Sequence, residues 1–308
     1  MTDAELFYLG INYYNGDTVA CDYRKAAECF RQAAERGFAP AQYQLGRLYM
    51  IGKGVDVDAT LAREWFEKAA AQGNEEAKRG LIHLKLLFIR SSISNFGSSS
   101  FDVAKEYALE ILSLFDELSD PDVSDRFNQR EAYRYLGMLT AAGHWKEKEA
   151  LLRSKAYYEK GLPIHEALDT DAMYSYPIVL DNLGDVTGVS SYYGEAYEAA
   201  CDIYYNAFDR LQDPDDKAMI LSFLVMEKIL GRFHPVDLEA AEQLNRIIGT
   251  LGSSNTAMYE NYRDAIEKKR REIQPYSNYT PSYSSPSFSS SVETAGKKLK
   301  GFIGNLFK

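Results

Sequence analysis

The chain has 308 residues, with 45 acidic against 35 basic side chains and a formal net charge of −10. That balance argues against a general nucleic-acid binder, and three cysteines (Cys21, Cys29, Cys201) are too few and odd in number for a disulfide framework. The start, Met1-Thr2-Asp3-Ala4-Glu5, lacks the basic and apolar runs of a signal peptide, and no stretch reaches the ~18–20 apolar residues that span a bilayer, so the expectation is a cytoplasmic protein.

The first third repeats itself. Residues 5–40 fall on 41–76 without a gap, and 12 of 36 positions are identical, among them Leu9/Leu45, Gly10/Gly46, Tyr13/Tyr49, Gly16/Gly52, Asp22/Asp58, Phe30/Phe66 and Gly37/Gly73. A fixed period of this size marks stacked helix–turn–helix units, which build surfaces for holding other proteins. Ala41, Leu45 and Tyr49 are spaced by four and share one helix face. Gly46 lies beside that face, where a missing side chain lets a neighbouring helix approach. Gly52-Lys53-Gly54-Val55 breaks the helix and Asp58 can cap the next one. That helix carries its own stripe of Ala62, Phe66, Ala69 and Ala70 and ends at Gly73. Asn74 can cap a third helix. Ala77 and Leu81 begin a further unit, in which Ile82 stands where the earlier ones have glycine.

In these segments the chain resembles the Sel-one-like repeat family of the tetratricopeptide-like superfamily. The resemblance is carried by Leu45-Gly46-Arg47-Leu48-Tyr49, Gly52-Lys53-Gly54-Val55 and Glu64-Trp65-Phe66-Glu67-Lys68-Ala69-Ala70 with Gly73, and covers about residues 4–90. The first unit departs from it with Asp17-Thr18 in place of a second glycine and Cys29 in place of Trp. The resemblance implies an α-helical superhelix and a scaffold or adaptor role. It implies no catalytic residue.

Residues 91–100, Ser-Ser-Ile-Ser-Asn-Phe-Gly-Ser-Ser-Ser, read as a loop and a candidate boundary. An amphipathic stripe then runs from Val103 through Tyr107, Ile111, Leu114 and Phe115 to Leu118, closed by Asp120-Pro121. Further helices are expected near 124–142, 146–161, 172–184, 190–212, 215–231, 236–250 and 255–273, with no run of alternating strands. Leu136-Gly137, Leu183-Gly184 and Leu230-Gly231 are 47 residues apart, as degenerate tetratricopeptide-like pairs would place them. Region 101–273 is thus either a continuing superhelix or a separate helical domain, and all-α in both cases. The 23 tyrosines could line a peptide groove, but core packing with the hydroxyl at an edge is the simpler reading.

Chemistry is not visible. His83, His144, His165 and His234 make no His-x-x-x-His, and there is no Cys-x-x-Cys for zinc. Gly52-x-Gly54 is followed by no Gly-Lys-Ser/Thr and leaves a helix rather than a strand, so it is no phosphate loop. No catalytic residue, metal or cofactor is assigned.

Residues 274–291 read as a Ser/Pro/Tyr-rich flexible linker without a charged side chain. Beyond it, Leu299, Phe302, Ile303, Leu306 and Phe307 form one apolar stripe on a helix over 292–308, with Lys297, Lys298, Lys300 and Lys308 outside it. Such a basic amphipathic segment suits an anionic membrane surface, a partner groove or the protein's own acidic body.

The fold class is therefore all-α, an α-α superhelix with a tethered amphipathic helix. The function read from it is a non-enzymatic scaffold that binds a protein or peptide, with Gln44, Arg47 and His83 as a groove-facing row and the tail as a dock. Two alternatives stand beside it. One is a regulatory or enzymatic helical domain in 101–273, favoured by a pocket joining His144, His165 or tyrosines to carboxylates. The other is an effector-like protein whose tail perturbs membranes.

Overall fold

The structure, a computed structural model, describes residues 1–94, 98–252 and 255–273. The described residues form 13 α-helices and no strand, as the sequence patterns require. The chain divides into two compact units, Met1–Gly188 and a second that begins at Val189. The division thus falls at Gly188 and not in the 91–100 stretch. The linker at 274–291 and the tail helix lie outside the described residues.

The first unit opens with two hairpins, α1 (Asp3–Asn15) with α2 (Tyr23–Glu35) and α3 (Ala39–Ile51) with α4 (Ala59–Ala70). Both are built by the same local chemistry. Asp22 accepts from the amides of Arg24 and Lys25 at 3.1 Å. One period later Asp58 accepts from Thr60 and Leu61 at 2.9 Å, so each hairpin's second helix starts on an aspartate that satisfies exposed amides. Each hairpin closes on a phenylalanine lying against a glycine. A Cβ on Gly10 would come within 2.6 Å of the Phe30 ring, and one on Gly46 within 2.8 Å of the Phe66 ring. Both rings are fully buried, which stabilises each pair by about 2–3 kcal/mol relative to exposed rings.

The two repeats are joined by contacts that the identities alone do not announce. Gln42, 5% exposed, donates to the Ala34 carbonyl at 3.1 Å and accepts from Gln72 at 2.7 Å, a short amide ladder across α2, α3 and the turn after α4. Lys53 reaches back to the first repeat, donating to the Tyr14 hydroxyl at 3.3 Å and lying 4.8 Å from the Tyr23 ring centre.

Next come α5 (Glu75–Ser94), α6 (Ser98–Asp116), α7 (Val123–Ala141), α8 (Lys148–Lys160) and α9 (Thr170–Thr187). Each helix from α1 to α9 packs on the next, and α5, α7 and α9 each also pack on the helix two places before. That pattern is a stack of helical hairpins. Asn74 accepts from Ala77 N at 2.8 Å as the cap of α5. Ile82, which replaces glycine, is 1% exposed, and α6 packs against its helix with Ala104 and Ala108 fully buried; the small residues have moved to the partner helix.

The loop expected over 91–100 is mostly helix, since α5 runs through Ser94 and α6 starts at Ser98. Ile82, Leu86, Ile89 and Ile93 form a continuous buried stripe along α5, and that packing overrides the serine-rich composition. At its far end α6 stops at Asp116, four residues before the expected Asp120-Pro121.

In α7 and α8 the glycine-on-ring device recurs. A Cβ on Gly137 would lie 2.5 Å from the Tyr158 ring, and Ser154 donates to the Gly137 carbonyl at 2.7 Å. The 47-residue spacing does not mark one repeated position, however. Gly137 lies inside α7 and Gly184 inside α9, whereas Gly231 ends a helix with φ of 62°.

The second unit holds α10 (Ser191–Asn206), α11 (Pro214–Leu230), α12 (Leu238–Thr250) and α13 (Thr256–Ile273). α10 packs on α11, α11 on α12, and α13 on both α11 and α12. Ala200, Leu221, Leu224, Val225, Ala241 and Ile248 are fully buried there. The helix expected over 190–212 stops at Asn206, because Ala207 leaves helical backbone geometry (φ −129°) and a short 3-10 turn follows. Glu227, 2% exposed, accepts from the amides of Phe233 and His234 at 2.8 Å and so fixes the turn after α11.

Candidate protein-binding site

Helices α4, α5 and α6 enclose a cleft of about 170 Å³. Leu81, Leu84 and Phe88, on one face of α5, supply its apolar lining. Phe88 is 42% exposed, whereas Phe30 and Phe66 are fully buried. Tyr107 of α6 meets Phe88 edge-on with ring centres 4.7 Å apart. Arg63 of α4 donates to the Tyr107 hydroxyl at 3.3 Å. Lys85 is paired with the Glu110 carboxylate and its ammonium lies 4.6 Å from the Tyr107 ring centre. These contacts fix the tyrosine before any ligand arrives. The result is an apolar slot with a cationic edge, suited to one apolar side chain from a partner with an acidic flank.

Gln44 and Arg47 of the expected groove row are brought together on α3, where Arg47 donates to Gln44 at 3.0 Å and its guanidinium lies 5.7 Å from the Tyr43 ring centre. Both are half-buried, while His83 is exposed on α5. None of the three lines the cleft, whose residues come instead from α4, α5 and α6. The cleft was hidden in the sequence because its lining comes from three helices whose approach no spacing within one helix reveals. Lys297, Lys298, Leu299, Lys300, Phe302, Ile303, Leu306 and Phe307 lie outside the described residues.

Other reactive groups are held quiet by burial. Burial pushes the Cys201 thiol up to about 11 and raises Cys29 as well, so both stay protonated at neutral pH and are poor nucleophiles. Tyr135 and Tyr158 are fully buried, and the same desolvation raises both phenols far above their ordinary value. The described residues contain no cluster of His, Cys, Asp and Glu able to hold a metal ion. None of their helices is long and apolar enough to cross a membrane.

The fold is that of a helical-repeat protein, its first unit a stack of helical hairpins. Its first two hairpins are Sel1 repeats: the Sel1 repeat model matches residues 6–38 and 39–74. Sel1 repeats generally mediate contacts between proteins and are typically non-catalytic. Among solved structures, a Sel1 repeat protein from Oxalobacter formigenes is similar at 19% identity with a TM-score of 0.39, covering 82% of this chain and 89% of its own. A protective antigen present in uropathogenic Escherichia coli strains, which displays an SLR fold, is similar at 18% identity with a TM-score of 0.33, covering 92% of this chain and 81% of its own. No curated protein matches the chain.

Proposed function

We propose that the protein is a non-enzymatic scaffold that captures a protein partner through the α4–α6 cleft and docks through its C-terminal tail. The observation that carries the reading is Phe88, a large apolar ring 42% exposed in a concave slot whose other walls are fixed by the Arg63–Tyr107 and Lys85–Glu110 contacts. An exposed ring in a preformed slot is the kind of feature on which binding energy concentrates.

Phe88→Glu places a charge where an apolar anchor would seat. It is expected to reduce partner recovery from native lysate at least tenfold, a loss of about 1.4 kcal/mol, while changing the melting temperature little because the ring is half outside. Recovery equal to that of the unaltered chain would remove the cleft from the site. Gln44→Ala with Arg47→Ala, run in parallel, reports whether the α3 pair belongs to the same surface.

The tail reading rests on sequence. Its five large apolar side chains fall on one stripe at helical spacing with four lysines outside it, and full burial of five such side chains is worth roughly 7–15 kcal/mol. A chain ending at Gln274 is therefore expected to lose flotation with anionic liposomes while keeping its partner. Undiminished flotation would end the docking assignment.

A further inference from the structure

A second cleft, of about 180 Å³, lies where α6, α7 and α8 meet, with Lys105, Thr140, His144, Glu147, Arg153 and Tyr157 around it. Thr140 is 6% exposed and its hydroxyl is buried with no hydrogen-bond partner. A helical threonine ordinarily returns such a hydroxyl to a backbone carbonyl of the preceding turn, so this one is an unmet donor of the kind native proteins rarely keep. Lys105 and Arg153, on two different helices, make no ion pair among the described residues. Glu147 is the one acid in the lining, and its carboxylate is 2.9 Å from His144 Nδ1.

We propose that this cleft binds a phosphomonoester carried on a side chain of a protein partner. Donors approach from three helices: an ammonium from α6, a hydroxyl from α7, and a guanidinium and a phenol from α8. A flat carboxylate with one charge is met well by a single arginine fork. A phosphomonoester carries about 1.5–2 negative charges and three acceptor oxygens pointing in different directions, and so uses two separated cations and a hydroxyl at once. The carrier is a protein side chain and not a bilayer because the donors line a concave cleft, which suits a single projecting group rather than a flat headgroup layer. The proposal rests on the protein-binding reading but uses none of the residues of the α4–α6 cleft.

The test titrates the full chain with N-acetyl-phosphoserine N-methylamide and follows backbone amide shifts by NMR. Saturable shifts at Thr140 and Arg153 are expected, absent with the unphosphorylated serine compound. Lys105→Gln and Arg153→Gln should each weaken the interaction about tenfold, and Thr140→Val, which keeps the side-chain shape, by a smaller factor. Phe88→Glu should leave it unchanged, which separates failure of this site from failure of the first. Equal shifts from the serine compound, no saturation, or full binding by the Lys105→Gln/Arg153→Gln double variant would overturn the proposal. Inorganic phosphate matching the phosphoserine compound would reduce the site to an adventitious ion only. Shifts of the same amides by phosphatidylcholine vesicles containing phosphatidic acid, but not by the phosphoserine compound, would transfer the site to lipid and overturn the protein assignment.

Discussion

Gly54→Ala is expected to destabilise the first unit by about 3 kcal/mol, a fall of roughly 10 °C in melting temperature. Two costs add. The residue has φ of +74°, which an L side chain tolerates poorly. A Cβ there would also lie 2.1 Å from the Tyr23 carbonyl oxygen and 2.8 Å from Arg24 N. Those atoms are backbone at the start of α2, so the obstruction cannot rotate away. The loop between α3 and α4 would have to lift off the first repeat and take Lys53 from its seat against Tyr14 and Tyr23. Gly73→Ala is the control, because φ is +82° but no heavy atom lies within 4 Å. It should cost about 1–2 kcal/mol. Because repeat arrays are held by neighbour interfaces, Gly54→Ala should also speed hydrogen exchange in α1 and α2 ahead of α7 and α8. Equal losses in the two variants would show that the close approach to Tyr23 carries no energy.

The same contact explains what the sequence could and could not say. Gly54 was legible as a helix breaker, but its pressure against Tyr23 was not, because that requires knowing how one repeat leans on the one before. Thr18 stands at the equivalent position of the first repeat, whose loop meets no preceding repeat among the described residues. The helix count, the Asp22, Asp58 and Asn74 caps and the Phe30 and Phe66 cores followed from spacing, since local propensity and tertiary packing agree there. The stretch 91–94 was misleading because its serine-rich composition concealed Ile89 and Ile93 continuing the buried stripe. The α4–α6 cleft was illegible for a related reason. Periodicity separates a buried face from an exposed one, but it does not reveal that Phe88, off the Ile82–Ile93 stripe, lines a cleft with residues of α4 and α6.

Arg134→Met is expected to cost about 3–5 kcal/mol, the range for breaking a buried ion pair by removing one partner. Arg134 is fully buried and Glu131 is 1% exposed. The guanidinium donates through Nε to the Gly161 carbonyl and through Nη2 to the Pro163 carbonyl, both at 2.6 Å. Its Nη1 pairs with the Glu131 carboxylate, whose other oxygen accepts from Leu168 N at 3.2 Å. One arginine therefore fastens the irregular segment between α8 and α9 to the middle of α7. Methionine fills the volume but leaves two carbonyls and a carboxylate without their donor. Arg134→Lys should recover only part of the loss, since one ammonium cannot reproduce the planar fork. The pH dependence has a definite sign. Burial already raises the Glu131 carboxyl above its ordinary value despite the attraction of Arg134, and removing the cation raises it further. A carboxyl raised in the folded state binds more protons than in the unfolded chain, so the variant loses stability as pH rises from the unfolded carboxyl's range through the raised value. Urea unfolding across that range should show the Arg134→Met deficit growing with pH, and Arg134→Met with Glu131→Leu should show a smaller and pH-flat deficit, because no charge is then stranded. A single-variant loss below about 1 kcal/mol, or one that shrinks as pH rises, would mean that water reaches this pair and that the segment after α8 is held by something else.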